Sequence, residues 1–215
     1  MNDEQLRTMI RRIISEELNN DDGGIPIGVS NHHIHLSEED FATLFPGQKF
    51  ELYRQLKQPA DFAAKQTVDL IGPNGFQVSH VRLLGPARSH SQVEISRTEA
   101  RELNIDAPIR LSGNLDGTPS ITVKSPNAEI QVQGVIAAKR HIHMSLADAD
   151  KYGLKYGDIV KVEIRSQDRK TIFEDVVARP RKDFVTEMHI DTDEANAANV
   201  QADTKAYIIT DDQDK

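Results

Sequence analysis

The chain of 215 residues carries 34 Asp and Glu residues against 26 Lys and Arg residues, which gives a formal net charge of −8. Because no long basic run interrupts this acidic balance, we do not expect a protein that binds nucleic acid or an anionic membrane surface. Cysteine is absent, which excludes disulfides, thiolate-held metal sites and a cysteine nucleophile. No apolar run approaches the length of a membrane span and no signal-peptide pattern is present, so we expect a soluble, unsecreted protein.

The first predicted element is an amphipathic helix within residues 1–20. Its apolar side chains fall at the spacing of one helical stripe, opposite a charged face. The stripe consists of Leu6, Met9, Ile10, Ile13, Ile14 and Leu18. Residues 19–24 are rich in Asn, Asp and Gly, which end a helix and form a flexible joint. Residues 1–24 are therefore interpreted as a targeting helix and linker, with a helix packed on its own domain as the alternative.

From residue 25 onward, short β-rich runs are bounded by turn-forming residues. The predicted strands cover residues 25–30, 67–71, 77–84, 92–95, 109–111, 120–124, 128–132, 135–138, 158–164, 171–178, 186–190 and 205–209. Short helices are predicted after Ser37, Ser96 and Ser145, each a favourable N-cap with an acidic residue in the following turn. The pattern predicts a mainly β protein built from barrels or sandwiches.

An internal repeat organises this region. Residues 33–37 (His-Ile-His-Leu-Ser) recur as residues 141–145 (His-Ile-His-Met-Ser), and residues 93–100 align with residues 188–195 in the same order. The first copy is about 13 residues longer between these segments, an insertion that we assign to residues 46–66. We infer two related small β-barrel domains with short capping helices, residues 25–125 and residues 126–215, between which strands can be exchanged.

Each His-x-His pair presents two imidazoles on one side of an extended segment, because residues i and i+2 share a face. The repeat adds one downstream partner to each pair. The first triad is His33, His35 and Glu94, and the second triad is His141, His143 and His189. Three protein ligands without a thiolate are typical of catalytic zinc, so the sequence predicts two metal sites per chain. For a single His-x-His pair, a half-buried polar pair without metal is the alternative.

Arg88 lies in a loop interrupted by Gly and Pro that runs into the strand carrying Glu94. Its planar, permanently charged guanidinium suits phosphate or carboxylate, and a surface arginine is the alternative. Gln92, two residues before Glu94 on the same predicted face, is a weaker candidate for contacting a ligand. Three histidines have no counterpart in the repeat and are interpreted as surface or supporting residues, with the first of them facing away from the metal pair: His32, His80 and His90.

These motifs resemble those of the phosphate propanoyltransferases, the phosphotransacylases of bacterial microcompartments. The segments that carry the resemblance are 28–37, 81–86, 91–97, 140–145 and 187–196. The resemblance implies an enzyme that reversibly exchanges the coenzyme A (CoA) of an acyl-CoA for inorganic phosphate, giving an acyl phosphate, on two β-barrels with a two-zinc site. Propanoyl is the expected acyl group and acetyl the alternative. The family's zinc ligands fall on the two triads, and its phosphate-binding arginine falls on Arg88.

The absence of a cysteine nucleophile and the two metal triads indicate a mechanism, and the resemblance implies partners and a location. Phosphate held by Arg88 and one metal would attack the thioester carbonyl while the other metal receives the CoA sulfur; an acyl-enzyme on Ser or Glu is the alternative. A homo-oligomer, expected as a dimer, is implied. The N-terminal helices of microcompartment members favour an encapsulation role for residues 1–20 toward shell or cargo proteins. The expected location is the lumen of a bacterial microcompartment, otherwise the cytoplasm.

Two interpretations from other classes stay open. The spacing of His33, His35 and Glu39 matches the first metal motif of cupin-like enzymes with a single metal. The second copy lacks the corresponding glutamate, however, and Glu39 is predicted on an exposed helical turn. The non-enzymatic interpretation is a metal-stabilised module associated with a microcompartment, in which both triads are structural.

Overall fold

A computed structural model describes residues 23–209, and the helix predicted within residues 1–20 lies outside them. The strands are β1 (Ile25–Ser30), β2 (His33–Ser37), β3 (Leu52–Gln55), β4 (Phe62–Ile71), β5 (Gln77–Arg88), β6 (Gln92–Glu94), β7 (Ile109–Arg110), β8 (Ser120–Lys124), β9 (Glu129–Gln133), β10 (Val135–Ala138), β11 (His141–Met144), β12 (Ile159–Ile164), β13 (Thr171–Pro180), β14 (Glu187–Asp191) and β15 (Lys205–Ile209). The helices are α1 (Glu38–Leu44), α2 (Arg97–Glu102), α3 (Leu146–Tyr152) and α4 (Thr192–Ala197). The predicted mainly β class with short helices is confirmed. No helix within the described range is long and apolar enough to cross a membrane.

The three predicted helix starts are confirmed. The side chains of Ser37, Ser96 and Ser145 each accept a hydrogen bond from the backbone N–H three residues later, which satisfies a donor that the first helical turn leaves unpaired. Asp191 does the same at the start of α4. The sequence analysis does not predict α4 as a helix, although the repeat aligns Asp191 with Ser96.

Six strands form a closed barrel, in the order β1-β14-β11-β13-β12-β15. The remaining strands form a nine-stranded sheet, with the path β7-β10-β6-β2-β5-β4-β8-β9 and β3 paired to β4. Within residues 23–209 the end strands β7 and β9 are not paired to each other, so a second closed barrel is not established. Sheet membership crosses the predicted boundary at residue 125 in both directions, because β1 closes the barrel while β9 and β10 belong to the nine-stranded sheet. The division into two domains stays a prediction.

The repeat is visible in the strand pairing. Strand β2 lies between β5, which runs parallel to it, and β6, which runs antiparallel. Strand β11 lies in the same way between the parallel β13 and the antiparallel β14. Each His-x-His strand therefore has equivalent neighbours in the two halves, although the sequence analysis predicts neither β2 nor β11 as a separate strand.

Alternation along these strands separates core residues from site residues. Ile34 and Leu36 of β2 belong to the apolar core of the nine-stranded sheet, and Ile142 and Met144 of β11 belong to that of the barrel. Because successive strand residues point to opposite faces, the intervening histidines point away from both cores. The histidines of both pairs line one cavity to which the barrel and the nine-stranded sheet both contribute.

Candidate functional site

The cavity has a volume of about 680 Å³ and is lined by strands of both units. Its basic side chains are Arg54, Lys57, Arg82, Arg88, Arg179 and Arg181, and its acidic side chains are Asp61, Glu94 and Glu187. The cavity is therefore basic although the chain as a whole is acidic. Such a concentration of positive charge in a cleft attracts anionic ligands.

The structure brings all six predicted metal-site residues together, in the two predicted triads. Within each triad one ligand atom from every residue lies within 4.8 Å of the others. Strand register explains the grouping, because Glu94 of β6 lies opposite His33 of β2, and His189 of β14 lies opposite His141 of β11. Residues far apart in sequence are thus adjacent through backbone pairing alone.

Backbone carbonyls orient the first ring of each His-x-His pair. His33 Nδ1 lies 2.8 Å from the carbonyl oxygen of Asn31, and His141 Nδ1 lies 2.9 Å from that of Lys139. When Nδ1–H donates to this oxygen, the lone pair of Nε2 is left free for a metal ion. The two halves share this contact, each with a carbonyl two residues upstream.

The second ring of each pair carries a buried nitrogen that lacks a partner. The Nδ1 atoms of His35 and His143 are inaccessible to solvent and have no hydrogen bond in the part of the chain that the structure describes. Leaving a buried polar atom unsatisfied raises the free energy of the folded protein. A metal ion would remove this penalty, and two histidines with a carboxylate, or three histidines, form a donor set that suits zinc. The residues present therefore fit the implied metal.

Charge pairing dominates the first triad. His33 Nε2 lies 3.4 Å from Glu94 Oε2. Burial alone would lower the pKa of His33, but the Glu94 carboxylate outweighs it and raises that pKa above its ordinary value. Burial alone would also raise the pKa of Glu94, yet His33 holds it far below the usual range. His35, buried beside these groups, has a pKa well below its ordinary value because of burial and then the charge of His33.

The second triad is uncharged at neutral pH at two of its positions. Burial, followed by the charge of His189, lowers the pKa of His141 to about 3. Burial, followed by the charge of His141, lowers the pKa of His143 to about 2. Neutral imidazole is the form that binds a metal ion. These two rings therefore do not have to lose a proton before they bind a metal ion.

Arg88 is held at the cavity wall through Ser112. Its Nη1 donates to Ser112 Oγ at 2.9 Å, and Gln92 Nε2 donates to the same oxygen at 2.8 Å. Gln92 also donates to Glu94 Oε1 and accepts from the backbone N–H of Gly113. The Gln92 side chain is 1% exposed and does not line the cavity. The amide of Gln92, the weaker candidate for contacting a ligand, is thus engaged with Glu94, Ser112 and Gly113.

His32 lines the cavity beside the first pair, whereas Arg140, His80, His90 and Glu39 do not line it. The His32 ring contacts the Glu99 carboxylate of α2, and Arg140, which precedes the second pair, lies 3.4 Å from Glu194 of α4. His80 and His90 are exposed and do not line the cavity, as expected for surface histidines. Glu39 is exposed on α1 and also lies outside the cavity lining. Glu39 therefore does not join His33 and His35 in one site, as the single-metal motif of a cupin-like enzyme requires.

Sequence analysis did not identify Glu187, a buried carboxylate of the second half. Its Oε2 lies 3.1 Å from His189 Nε2, and its Oε1 lies 3.1 Å from Lys57 Nζ on the insertion. Burial alone would raise the pKa of Glu187, but His189 and Lys57 together lower it. A Cβ atom on Gly28 of β1 would lie 3.0 Å from the Glu187 carboxyl carbon, so glycine makes room for this side chain. The repeat aligns Glu187 with Gln92, and this alignment is the signal by which the sequence could have identified Glu187.

Comparison with known proteins agrees with this geometry. Residues 26–201 match the family model described as phosphate propanoyltransferase. A phosphate propanoyltransferase of Limosilactobacillus reuteri is 68% identical over 93% of this chain and 92% of that protein. The corresponding protein of Levilactobacillus brevis is 61% identical over 97% of this chain and 99% of its own length. That of Salmonella typhimurium is 53% identical over 92% of this chain and 93% of its own length.

Proposed function

The chain belongs to the phosphate propanoyltransferase family and is an acyltransferase, and from this premise we propose that it exchanges a propanoyl group reversibly between CoA and inorganic phosphate at a site with two zinc ions. One observation carries the proposal: two triads and Arg88 converge on a single basic cavity. Both substrates are anionic, and the cavity supplies the matching charge.

We assign one zinc ion to His33, His35 and Glu94 and the other to His141, His143 and His189. Bound zinc supplies Lewis acidity that polarises a thioester carbonyl and stabilises a thiolate. The protein contributes the orientation of the rings through the carbonyls of Asn31 and Lys139. It also contributes Gln92, whose amide holds the Glu94 carboxylate in place.

Arg88 is the residue that we assign to the phosphate. A guanidinium can donate two parallel hydrogen bonds to phosphate oxygens, which fixes the orientation of the anion. A further phosphate oxygen is then free to form a bond to the thioester carbonyl carbon, while the C–S bond breaks and the CoA thiolate leaves. Positioning of this kind accelerates a reaction between two bound substrates.

The assay that tests this function measures thiol release from propanoyl-CoA with and without inorganic phosphate. We expect rapid release only when phosphate is present, together with formation of one acyl phosphate per thiol. Phosphate-independent release would indicate a hydrolase, and no release from a metal-loaded protein would favour a structural role of both triads. A parallel-line pattern in initial-velocity kinetics would contradict direct transfer and indicate an acyl-enzyme.

We further propose that the protein forms a homodimer and that residues 1–20 direct it into a bacterial microcompartment through shell or cargo proteins. The support is the amphipathic stripe of residues 1–20, which is followed by a linker of Asn, Asp and Gly. An amphipathic helix commonly binds its partner by placing its apolar face in a groove.

Deletion of residues 1–20 is expected to leave the specific activity and the melting temperature nearly unchanged, and to abolish co-purification with compartment shells. The reason is that a targeting helix contributes no packing to the folded units. A helix packed on its own protein would instead bury several side chains, each contributing about 1.5–3 kcal/mol to folding. A truncated protein that melts several degrees lower yet still enters shells would contradict the targeting role.

A further inference from the structure

Arg179 is a half-buried arginine of strand β13. Its Nε atom is buried and has no hydrogen-bond partner within residues 23–209. Neither an ion pair nor a side-chain hydrogen bond is found for it among those residues. A buried charged donor without a partner is costly. Such a donor is expected in a folded protein where a bound ligand supplies the missing partner.

Strand geometry directs this side chain into the cavity. Arg179 of β13 lies opposite His143 of β11 in parallel register. Its neighbour Ala178 belongs to the barrel core, so Arg179 points to the other face, which carries the histidines. Arg179 accordingly lines the cavity together with His143.

The other cavity arginine on β13 and its following turn is already neutralised. Arg181 Nε and Nη2 contact the two oxygens of Asp183 at 2.5 and 2.8 Å. Its guanidinium also lies over the ring of Phe184, 3.8 Å from the centroid. Arg179 differs from Arg181 in having neither a carboxylate nor an aromatic ring as a partner.

Arg179 and Arg88 reach the same cavity from different units, Arg179 from the barrel and Arg88 from the nine-stranded sheet. Burial lowers the pKa of Arg88, the carboxylates of Asp61 and Glu94 oppose this effect, and the positive charge of Arg179 lowers the pKa further. The two cations are therefore close enough to repel each other. An anion carrying two charges, bound between them, would turn this repulsion into attraction.

We propose that Arg179 binds the phosphate substrate together with Arg88, so that each unit contributes one guanidinium to the same anion. This inference rests on the proposed function, and it names a second residue for the phosphate. Arg179 lies beside His143, where the reacting thioester would be. The phosphates of CoA are separated from its sulfur by the whole pantetheine arm, so inorganic phosphate is the anion to which this position corresponds.

The test is the binding of inorganic phosphate to the zinc-loaded, full-length protein, measured by titration calorimetry. Arg179→Gln is expected to weaken phosphate binding by about 10-fold or more, since it removes charged hydrogen bonds. Arg179→Lys, which keeps the charge and loses the fork, is expected to weaken it less. The matched control is Arg169→Gln, an exposed arginine outside the cavity, which should bind phosphate as the wild type does.

Three further measurements separate phosphate binding from other roles of Arg179. The KM for propanoyl-CoA and the zinc content of Arg179→Gln should match the wild type, and its melting temperature without phosphate should be no lower than that of the wild type. Unchanged phosphate affinity in this variant would overturn the inference. The proposed function would still stand in that case, provided that the wild type shows phosphate-dependent thiol release. A loss confined to CoA affinity, or a parallel loss of zinc, would also overturn it. A wild-type protein without phosphate-dependent thiol release would refute the proposed function and this inference with it.

Discussion

Replacing His143 with alanine is expected to remove one bound metal ion per chain and to lower kcat by on the order of 10³, because a lost metal site forfeits several kcal/mol of charge stabilisation in the transition state. The Nδ1 atom of His143 is buried without a partner in the described region, and the metal ion is the partner that we assign to it. Elemental analysis and initial rates of thiol release provide the measurement.

His90→Ala is the matched control, because His90 is exposed and lies outside the cavity lining. It should retain about two zinc ions per chain and the full rate. A His143→Ala protein that keeps both metal ions and its activity would refute the assignment of the second triad. Absence of any divalent metal from wild-type protein never exposed to a chelator would refute both triads.

Arg88→Ala is expected to raise the KM for phosphate by about 10- to 100-fold and to change the KM for propanoyl-CoA by less than about twofold. The guanidinium is held toward the cavity by Ser112, and its loss removes charged hydrogen bonds to the phosphate alone. Steady-state kinetics with each substrate varied in turn provide the measurement.

Two further variants make this result specific. Arg88→Lys keeps the charge without the planar fork, so its KM for phosphate should lie between those of the wild type and Arg88→Ala. Arg169→Ala should leave both KM values unchanged, since Arg169 is exposed and outside the cavity. Equal increases in both KM values for Arg88→Ala would argue against a phosphate-binding role.

The two halves of the site each carry one buried carboxylate, but at different positions of the repeat. In the first half the carboxylate is Glu94 of the triad itself, with the neutral Gln92 donating to it. In the second half the triad has His189, and the carboxylate is Glu187, whose oxygen lies 3.1 Å from the ring. The repeat therefore conserves the number of carboxylates near each triad while changing which position carries it.

The features that depend on local chain geometry follow from the amino-acid sequence alone. The His-x-His spacing places two rings on one face of any extended segment, and the Ser residues before acidic turns cap helices whatever surrounds them. The repeat added Glu94 and His189 as third members of the triads, because aligned positions in related units occupy equivalent places. The motifs that resemble the phosphate propanoyltransferases were also local, and the family is confirmed.

The features that depend on pairing between distant segments follow from the three-dimensional fold. Strand β1, which belongs to the first half of the sequence, closes the barrel beside β14. The sequence allows strands to be exchanged between the halves, but only the pairing identifies which strand it is. The amide of Gln92 is engaged by Ser112 and Gly113, some 20 residues onward, which the local pattern does not indicate. Strand register places both Arg179 and Glu187 beside His143. The local sequence pattern determines toward which face of a strand a side chain points. The residues that it contacts on that face depend on the whole fold.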